Sequence, residues 1–326
     1  MSPGGMTPSR AWLAYAINTV VLWGVWGALS GLSVTHNFPD TLIYCVWALT
    51  MIPPAVFVLA QNGWRLDRNP RAILYGMAIG LLGAGGQMVL FYAVARGPAY
   101  LIFPIVSLSP VVTIALSFLL MGERTGKLGL IGIVLALLAL PTFDFAPVSG
   151  EAGGTGWLIP ALLVMLAWGV QAYFMKSGNH VMSAESIFFY MMLSGLMIIP
   201  VAAGMTDFSQ PINAGLSGPW LAAAIQVLNA IGALTLVFAF RYGKAIIVAP
   251  LANAGAPLLT AIISLVLTGT LPGTLKIVGI ALALTASLLL AIEPDSGDPS
   301  AEGPEPLPAR PAGHSAFALT QTASEE

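Results

Sequence analysis

The stretch ARGPAYLIFPIVSLSP, Ala95 to Pro110, decides how the chain is read. It lies in a run apolar enough to cross a membrane, yet it holds Pro104 and Pro110 in its interior, with Ser107 and Ser109 between them. A proline removes a helix hydrogen bond and clashes with the carbonyl four residues back. A second stretch, RYGKAIIVAPLANAGAP from Arg241 to Pro257, repeats the problem. The two align. FYAVARGPAYLIFPIV falls on VFAFRYGKAIIVAPLA at a shift of 146, placing Gly97 on Gly243, Ala99 on Ala245 and Pro104 on Pro250. One inserted residue later the shift is 147, and Pro110 meets Pro257, Thr113 meets Thr260 and Gly122 meets Gly269. Nearer the start, Trp23-Gly24-Val25 meets Trp168-Gly169-Val170 at 145, Pro54 meets Pro200, and Gly86 meets Gly232.

Composition sets the solvent. The 326 residues are 57% hydrophobic and 8% charged, against about 25% charged in a soluble chain. Mean hydropathy is +0.86. Such a chain cannot cover its surface with polar groups, so lipid surrounds it. About 20 apolar residues cross a hydrocarbon core, and ten segments fit: 12–33, 40–60, 72–94, 99–121, 128–143, 156–175, 184–203, 219–240, 246–268 and 274–292. The first is too long for a signal-peptide core and reads as a retained helix. Five spans per half is an odd number, so the second half enters from the opposite side. The expected fold is therefore an all-α membrane protein of ten transmembrane helices, built as two inverted five-helix repeats over 12–146 and 156–292. This is the usual construction of secondary transporters. Residues 1–11 precede the repeats. The tail 293–326, rich in Pro, Gly and acid, has too few large apolar residues to fold alone.

With the N-terminus inside, Arg10, Arg65, Arg68, Arg71, Arg124, Lys127, Lys176, Arg241, Lys244 and Arg310 fall inside, and only Arg96 and Lys276 outside. The positive-inside rule then puts both termini in the cytoplasm of a multi-pass protein of the cell (inner) membrane. Trp12 and Trp64 near the inner face, and Trp157 and Trp220 near the outer, suit an interfacial belt. The single Cys45 excludes an internal disulfide and a cysteine metal cluster and reads as a packing residue. No cofactor or metal is expected. A net charge of −2 without a basic patch gives no footing to nucleic acid.

The matched prolines point to a midplane site, because each frees a carbonyl that a wet cavity can satisfy and lipid cannot. Ser107 and Asn253 fall on equivalent positions between them. The other reading is a kink for close packing, with Ser and Asn bonded to neighbouring helices. Trp23, Trp26 and Ser30 share a face by helical spacing, as do Trp168 and Gln171, and Gln226 and Asn229. Gln171 is the repeat equivalent of Trp26, and Gln87 is polar at mid-span. Neutral donors and acceptors on an aromatic wall suit a small-molecule site. The expected substrate-binding set is Trp23, Trp26, Gln87, Ser107, Trp168, Gln171, Asn229 and Asn253, with Pro104, Pro110, Pro250 and Pro257 as kink or gating residues. Tyr92 and Tyr100 are weaker candidates. Packing or interfacial anchoring is the alternative for each tryptophan, and interhelical bonding for each amide.

No Asp, Glu, His, Lys or Arg falls at a span centre, and such groups are the usual proton relays. No His or Asp lies within the spans to activate a serine, which argues against an enzyme. There is no Gly-rich phosphate loop for an ATP-driven pump.

RGPAYLIFPIVSLSPVVTIALSFLLMGERTG, containing Gly122-Glu123-Arg124, is followed by GLIGIVLALLAL, and the second half gives YGKAIIVAPLANAGAPLLTAIISLVLTG. These motifs resemble the drug/metabolite transporter superfamily with two EamA-type domains, over residues 12–292. The resemblance implies ten spans, both termini cytoplasmic, and a central cavity lined chiefly by spans one, three, four, six, eight and nine. The Gly-Glu-Arg of the first half is Gly269-Thr270-Leu271 in the second. Glu123, at a helix end, reads as structural. Small multidrug resistance proteins, distant relatives, rely on a membrane-embedded glutamate that has no counterpart here. The expected function is transport of small polar metabolites, amino acids or similar, by export through alternating access, as a facilitator or exchanger. Alternatives are a sugar or nucleoside uptake permease and a proton-coupled multidrug exporter. The expected partners are a small-molecule substrate and the bilayer, and a monomer suffices.

Overall fold

The structure, a computed structural model, describes residues 11–94, 102, 105–144, 156–268 and 273–292. Arg96, Tyr100, Pro104, Thr270 and the tail beyond Ile292 lie outside the described residues. The spans are α1 (Ala11–Leu29), α2 (Asp40–Gln61), α3 (Pro70–Val94), α4 (Ser109–Leu120) and α5 (Lys127–Asp144) in the first half. The second half holds α6 (Leu158–Gly178), α7 (Ala184–Gly204), α8 (Leu221–Tyr242), α9 (Ala245–Thr268) and α10 (Thr274–Ile292). A short turn of helix, Leu32–Thr35, follows α1, and a π-turn, Leu216–Trp220, leads into α8. Among the described residues seven helices are long and apolar enough to cross a membrane, while α4, α5 and α10 supply shorter apolar stretches.

Two spans are less regular than the sequence implies. α2 breaks at Met51, and its second piece starts with Pro53 and Pro54 in the first turn, where a missing N–H leaves no bond unmade. Span four was expected as one helix over 99–121. Instead the chain turns at Ser107–Leu108, and α4 starts at Ser109 with Pro110 in its first turn. The equivalent α9 runs unbroken through Pro250 and Pro257. The matched prolines therefore do not make matched breaks. Pro110 occupies a helix start, whereas α9 is held helical through its prolines by packing on α1, α4, α5 and α10.

The contacts between helices follow the repeat. α1 lies against α8 and α9, and its equivalent α6 lies against α3 and α4. α2 packs on α8 as α7 packs on α3, and the equivalent pairs α2–α7, α4–α9 and α5–α10 meet one another. Small residues set these distances. A Cβ on Gly24 would overlap Leu259, and one on Gly169 would overlap Val112, at the equivalent crossing. The core is apolar, with Phe188, Phe240, Ile79 and Val237 fully buried. The outer surface is equally apolar, for example Leu74, Leu119, Ile159 and Val266, as lipid requires. The four expected belt tryptophans divide. Trp64 and Trp220 are 63% and 68% exposed, but Trp12 and Trp157 are buried in core clusters.

Both ends of the bundle are tied between the halves. At one end Asp67, in the α2–α3 loop, accepts hydrogen bonds from Ser183 N–H at 2.8 Å and from the Ser183 and Ser186 hydroxyls at 2.9 Å. Tyr190 donates to the Asp67 carbonyl at 2.8 Å. At the other end Asn213, in the α7–α8 loop, donates from its backbone to Asn37 O and from its amide to His36 O, both at 3.0 Å.

Candidate functional site

Two seams run along the middle of the bundle. In the first, α1 meets α8. Trp23 Nε1 donates to Asn229 O at 3.2 Å, and the indole covers Gly232, where any side chain would overlap it. One turn on, Trp26 Nε1 donates to Gln226 Oε1 at 3.2 Å, and Asn229 Nδ2 reaches the same oxygen at 3.5 Å. Gln226 is buried, and Trp23, Trp26 and Asn229 are half-buried. At 1.5 Å per residue, Trp23 lies about 18 Å along α1, near the middle of a ~30 Å core.

The second seam is the first one inverted. Trp168 on α6 donates to Gly83 O on α3 at 3.2 Å, and its indole covers Gly86. Gly83 and Gly86 stand one repeat away from Asn229 and Gly232, so each tryptophan makes the same bond in the opposite half. Gln171, the equivalent of Trp26, lies against Gly83. Because the halves are inverted, Trp26 and Gln171 flank the midplane on opposite sides. A further matched pair ties the neighbouring helices: Thr113 Oγ1 donates to Gly169 O at 3.0 Å, and Thr260 Oγ1 donates to Gly24 O at 2.9 Å.

The expected site residues fall into three groups. Trp23, Trp26 and Asn229 are joined with Gln226 in one seam, and Trp168 and Gln171 line the other. Gln87 is half-buried one turn beyond Gly83 on α3 and makes no side-chain hydrogen bond among the described residues. Asn253 stands apart from both seams' bonds. The Asn253 amide turns back to Ala249 O of its own helix at 2.9 Å, and Ser107 sits half-buried in the turn before α4. Ser30 likewise bonds its own helix, at Gly27 O. Pro110 and Pro250 are buried and Pro257 is half-buried.

Sequence reasoning missed several polar contacts. Thr19 on α1 shares a buried 2.9 Å hydrogen bond with Thr235 on α8, where the other half has Val164 and Val89, so the repeat gave no signal. Lys176 is fully buried in the last turn of α6. Glu123, expected to be structural, grips the start of α9: Oε1 accepts from Ala245 N–H and Oε2 from Ile246 N–H, each at 3.0 Å. The clue for it was the carboxylate of Gly-Glu-Arg lying level, across the repeat, with the loop before a helix.

The model of the EamA-like transporter family matches residues 10–141 and 155–292. A curated relative from Methanocaldococcus jannaschii, described as an uncharacterized protein, is 31% identical over 72 residues, which is 22% of this chain and 53% of that protein. The chain thus spans about half the length of that relative. A solved crystal structure, described only as that of a protein, superposes with a TM-score of 0.70 at 17% identity, over 86% of this chain and 98% of its own. That likeness supports the ten-helix fold alone. The two matched family domains coincide with the two inverted halves whose tryptophan and threonine bonds mirror each other, and this chain, a multi-pass membrane protein, belongs to the EamA-like transporter family.

Proposed function

We propose that the chain carries small polar metabolites, amino acids or close analogues, outward across the cell (inner) membrane by alternating access, driven by the substrate's own gradient, with both termini in the cytoplasm. One observation carries this reading. The mid-bundle seam offers a neutral chain of donors and acceptors, Trp26–Gln226–Asn229, beside aromatic faces, with Gln171 opposite it across the pseudo-twofold. A zwitterion or a neutral polar solute is matched by oriented dipoles of this kind, and a fixed ionic partner is not required. The absence of any acid or base at the span centres leaves the protein without a proton relay of the usual kind.

The test is counterflow with purified protein in liposomes, using a panel of amino acids, sugars and nucleosides. Exchange of amino acids above the empty-liposome rate supports the reading. Exchange confined to sugars or nucleosides replaces the substrate class. Cysteine labelling from either side checks orientation: 61–71 and 176–182 should react from inside, and 34–39 and 204–218 from outside.

A further inference from the structure

α4 and α9 are repeat equivalents from opposite halves that pack on each other, and the loop after α4 meets the start of α9. Gly122, at φ +67°, turns the chain out of α4 in a conformation that other residues resist. This turn places Glu123 beneath α9, 5% exposed. Its two oxygens take the first two N–H groups of that helix, which have no partner within it. The helix dipole adds to the attraction, and burial limits screening by solvent. Lys244 Nζ, just before α9, closes the same contact by donating to Arg124 O at 3.0 Å. The contact crosses from one half to the other.

The repeat pairs each residue of this contact with a position in the other half. The residue equivalent to Glu123 is Thr270. Thr270 lies outside the described residues, but its chemistry is known: one neutral hydroxyl instead of a carboxylate with two charged oxygens. The carboxylate of Glu123 thus has no counterpart of the same charge at the matched position of the sequence.

We propose that Glu123 is a latch on the transport cycle. It holds α4 to the first turn of α9, makes the form closed at the Asp67 end the resting form, and releases α9 each time that end opens. Water entering the opened end hydrates both the carboxylate and the freed N–H groups, which makes release reversible. The inference rests on the alternating-access reading above. It makes Glu123 a positioning residue, since it acts through α9 and not on the substrate.

The test is a distance measurement that needs no substrate. Spin labels at Leu120→Cys, at the end of α4, and Tyr242→Cys, just before α9, report the gap in a Cys45→Ala background in lipid. The parent should give one short distance. Glu123→Gln keeps the shape but loses the charge and one acceptor, and should raise the separated population about tenfold relative to the clasped one. Ala245→Pro deletes one donor at a helix position that tolerates proline and should give a smaller shift in the same direction; it also serves if Glu123→Gln fails to accumulate. Unchanged distances in both variants overturn the latch, even if counterflow falls. A shift in distance with no substrate exchanged anywhere in the panel leaves the latch standing and sinks the proposed substrate class instead.

Discussion

Asp67 and Asn213 stand one repeat apart and do the same work at opposite ends of the bundle. Each sits in the loop after the second span of its half, and each grips the loop before the second span of the other half: Asp67 holds Ser183, and Asn213 holds His36 and Asn37. One grip is a carboxylate and the other an amide. With the Glu123 latch beside it, the Asp67 end has two ionic grips on helix starts.

Burial pushes the Asp67 carboxyl up, but the hydrogen bonds from Ser183 and Ser186, together with Arg241, bring it below the ordinary carboxylate value. A carboxyl held low stabilises the fold above its unfolded pKa, near 4, and loses that contribution as pH falls through its folded value. Tyr190 also faces the group. Asp67→Ala should cost about 1–2 kcal/mol at pH 7, the low end for charged hydrogen bonds because Asp67 is half-exposed. Thermal melting in detergent checks it. The gap between parent and variant should shrink as pH falls from 5 toward 3, and a gap that stays constant with pH would show that the charge contributes nothing.

The tryptophan seams give a prediction with a built-in control. Gly86→Ala and Gly232→Ala each place a methyl group inside the indole of Trp168 or Trp23. Overpacking of this kind costs about 1–3 kcal/mol. Each loss should be relieved by shrinking the matching ring, Trp168→Leu for Gly86→Ala and Trp23→Leu for Gly232→Ala, and not by shrinking the other. Melting temperatures of the four double variants decide it, and equal rescue by both rings would contradict the inverted pairing.

The fold was legible in the sequence because apolar runs and a 145–147 residue shift report spans and repeat directly. The seams were half legible. Trp23 with Trp168 and Gly86 with Gly232 were visible as matched positions, but nothing in the chain says that the tryptophan of one half covers the glycine paired with the other. Trp12 and Trp157 read as belt residues in the sequence because distance from a span end does not tell which face of the helix a ring occupies. The matched prolines mark interruptions in both halves of the sequence, whereas in the structure α9 runs unbroken through Pro250 and Pro257 and the chain turns at Ser107–Leu108 before Pro110. Asp67 went unnoticed because its counterpart has changed residue type, which hides a shared role from any comparison of letters.

For transport itself, Trp26→Ala, Gln171→Ala and Asn253→Ala should each lower counterflow several-fold while leaving expression and melting near the parent. Trp26 and Gln171 matter most in this set, since the Asn253 donor is already spent on Ala249 O. Trp64→Ala and Trp220→Ala, at exposed rings, are the proper controls; Trp12 and Trp157 are not, because truncating a buried tryptophan costs about 3–5 kcal/mol in stability alone. If all five variants transport alike, the seam residues serve packing and the substrate binds elsewhere.

Energy coupling supplies the last prediction. Neither seam contains a titratable group; Lys176 lies in the last turn of α6 and Glu123 just past the end of α4. Substrate exchange should therefore proceed at nearly full rate with equal pH on both sides and zero potential. Moving one charge across the membrane is worth about 2.3 kcal/mol per 100 mV, so a zwitterion carried alone should be indifferent to a clamped voltage, and a single carried proton should not. The measurement is initial uptake into substrate-loaded liposomes at 0 and −100 mV, with and without a pH step of one unit. Indifference to both supports a facilitator or exchanger. Uphill accumulation driven by the pH step at clamped potential would establish proton coupling, and Glu123→Gln and Glu185→Gln would then be the first variants to measure, because those carboxylates stand at the starts of α9 and α7.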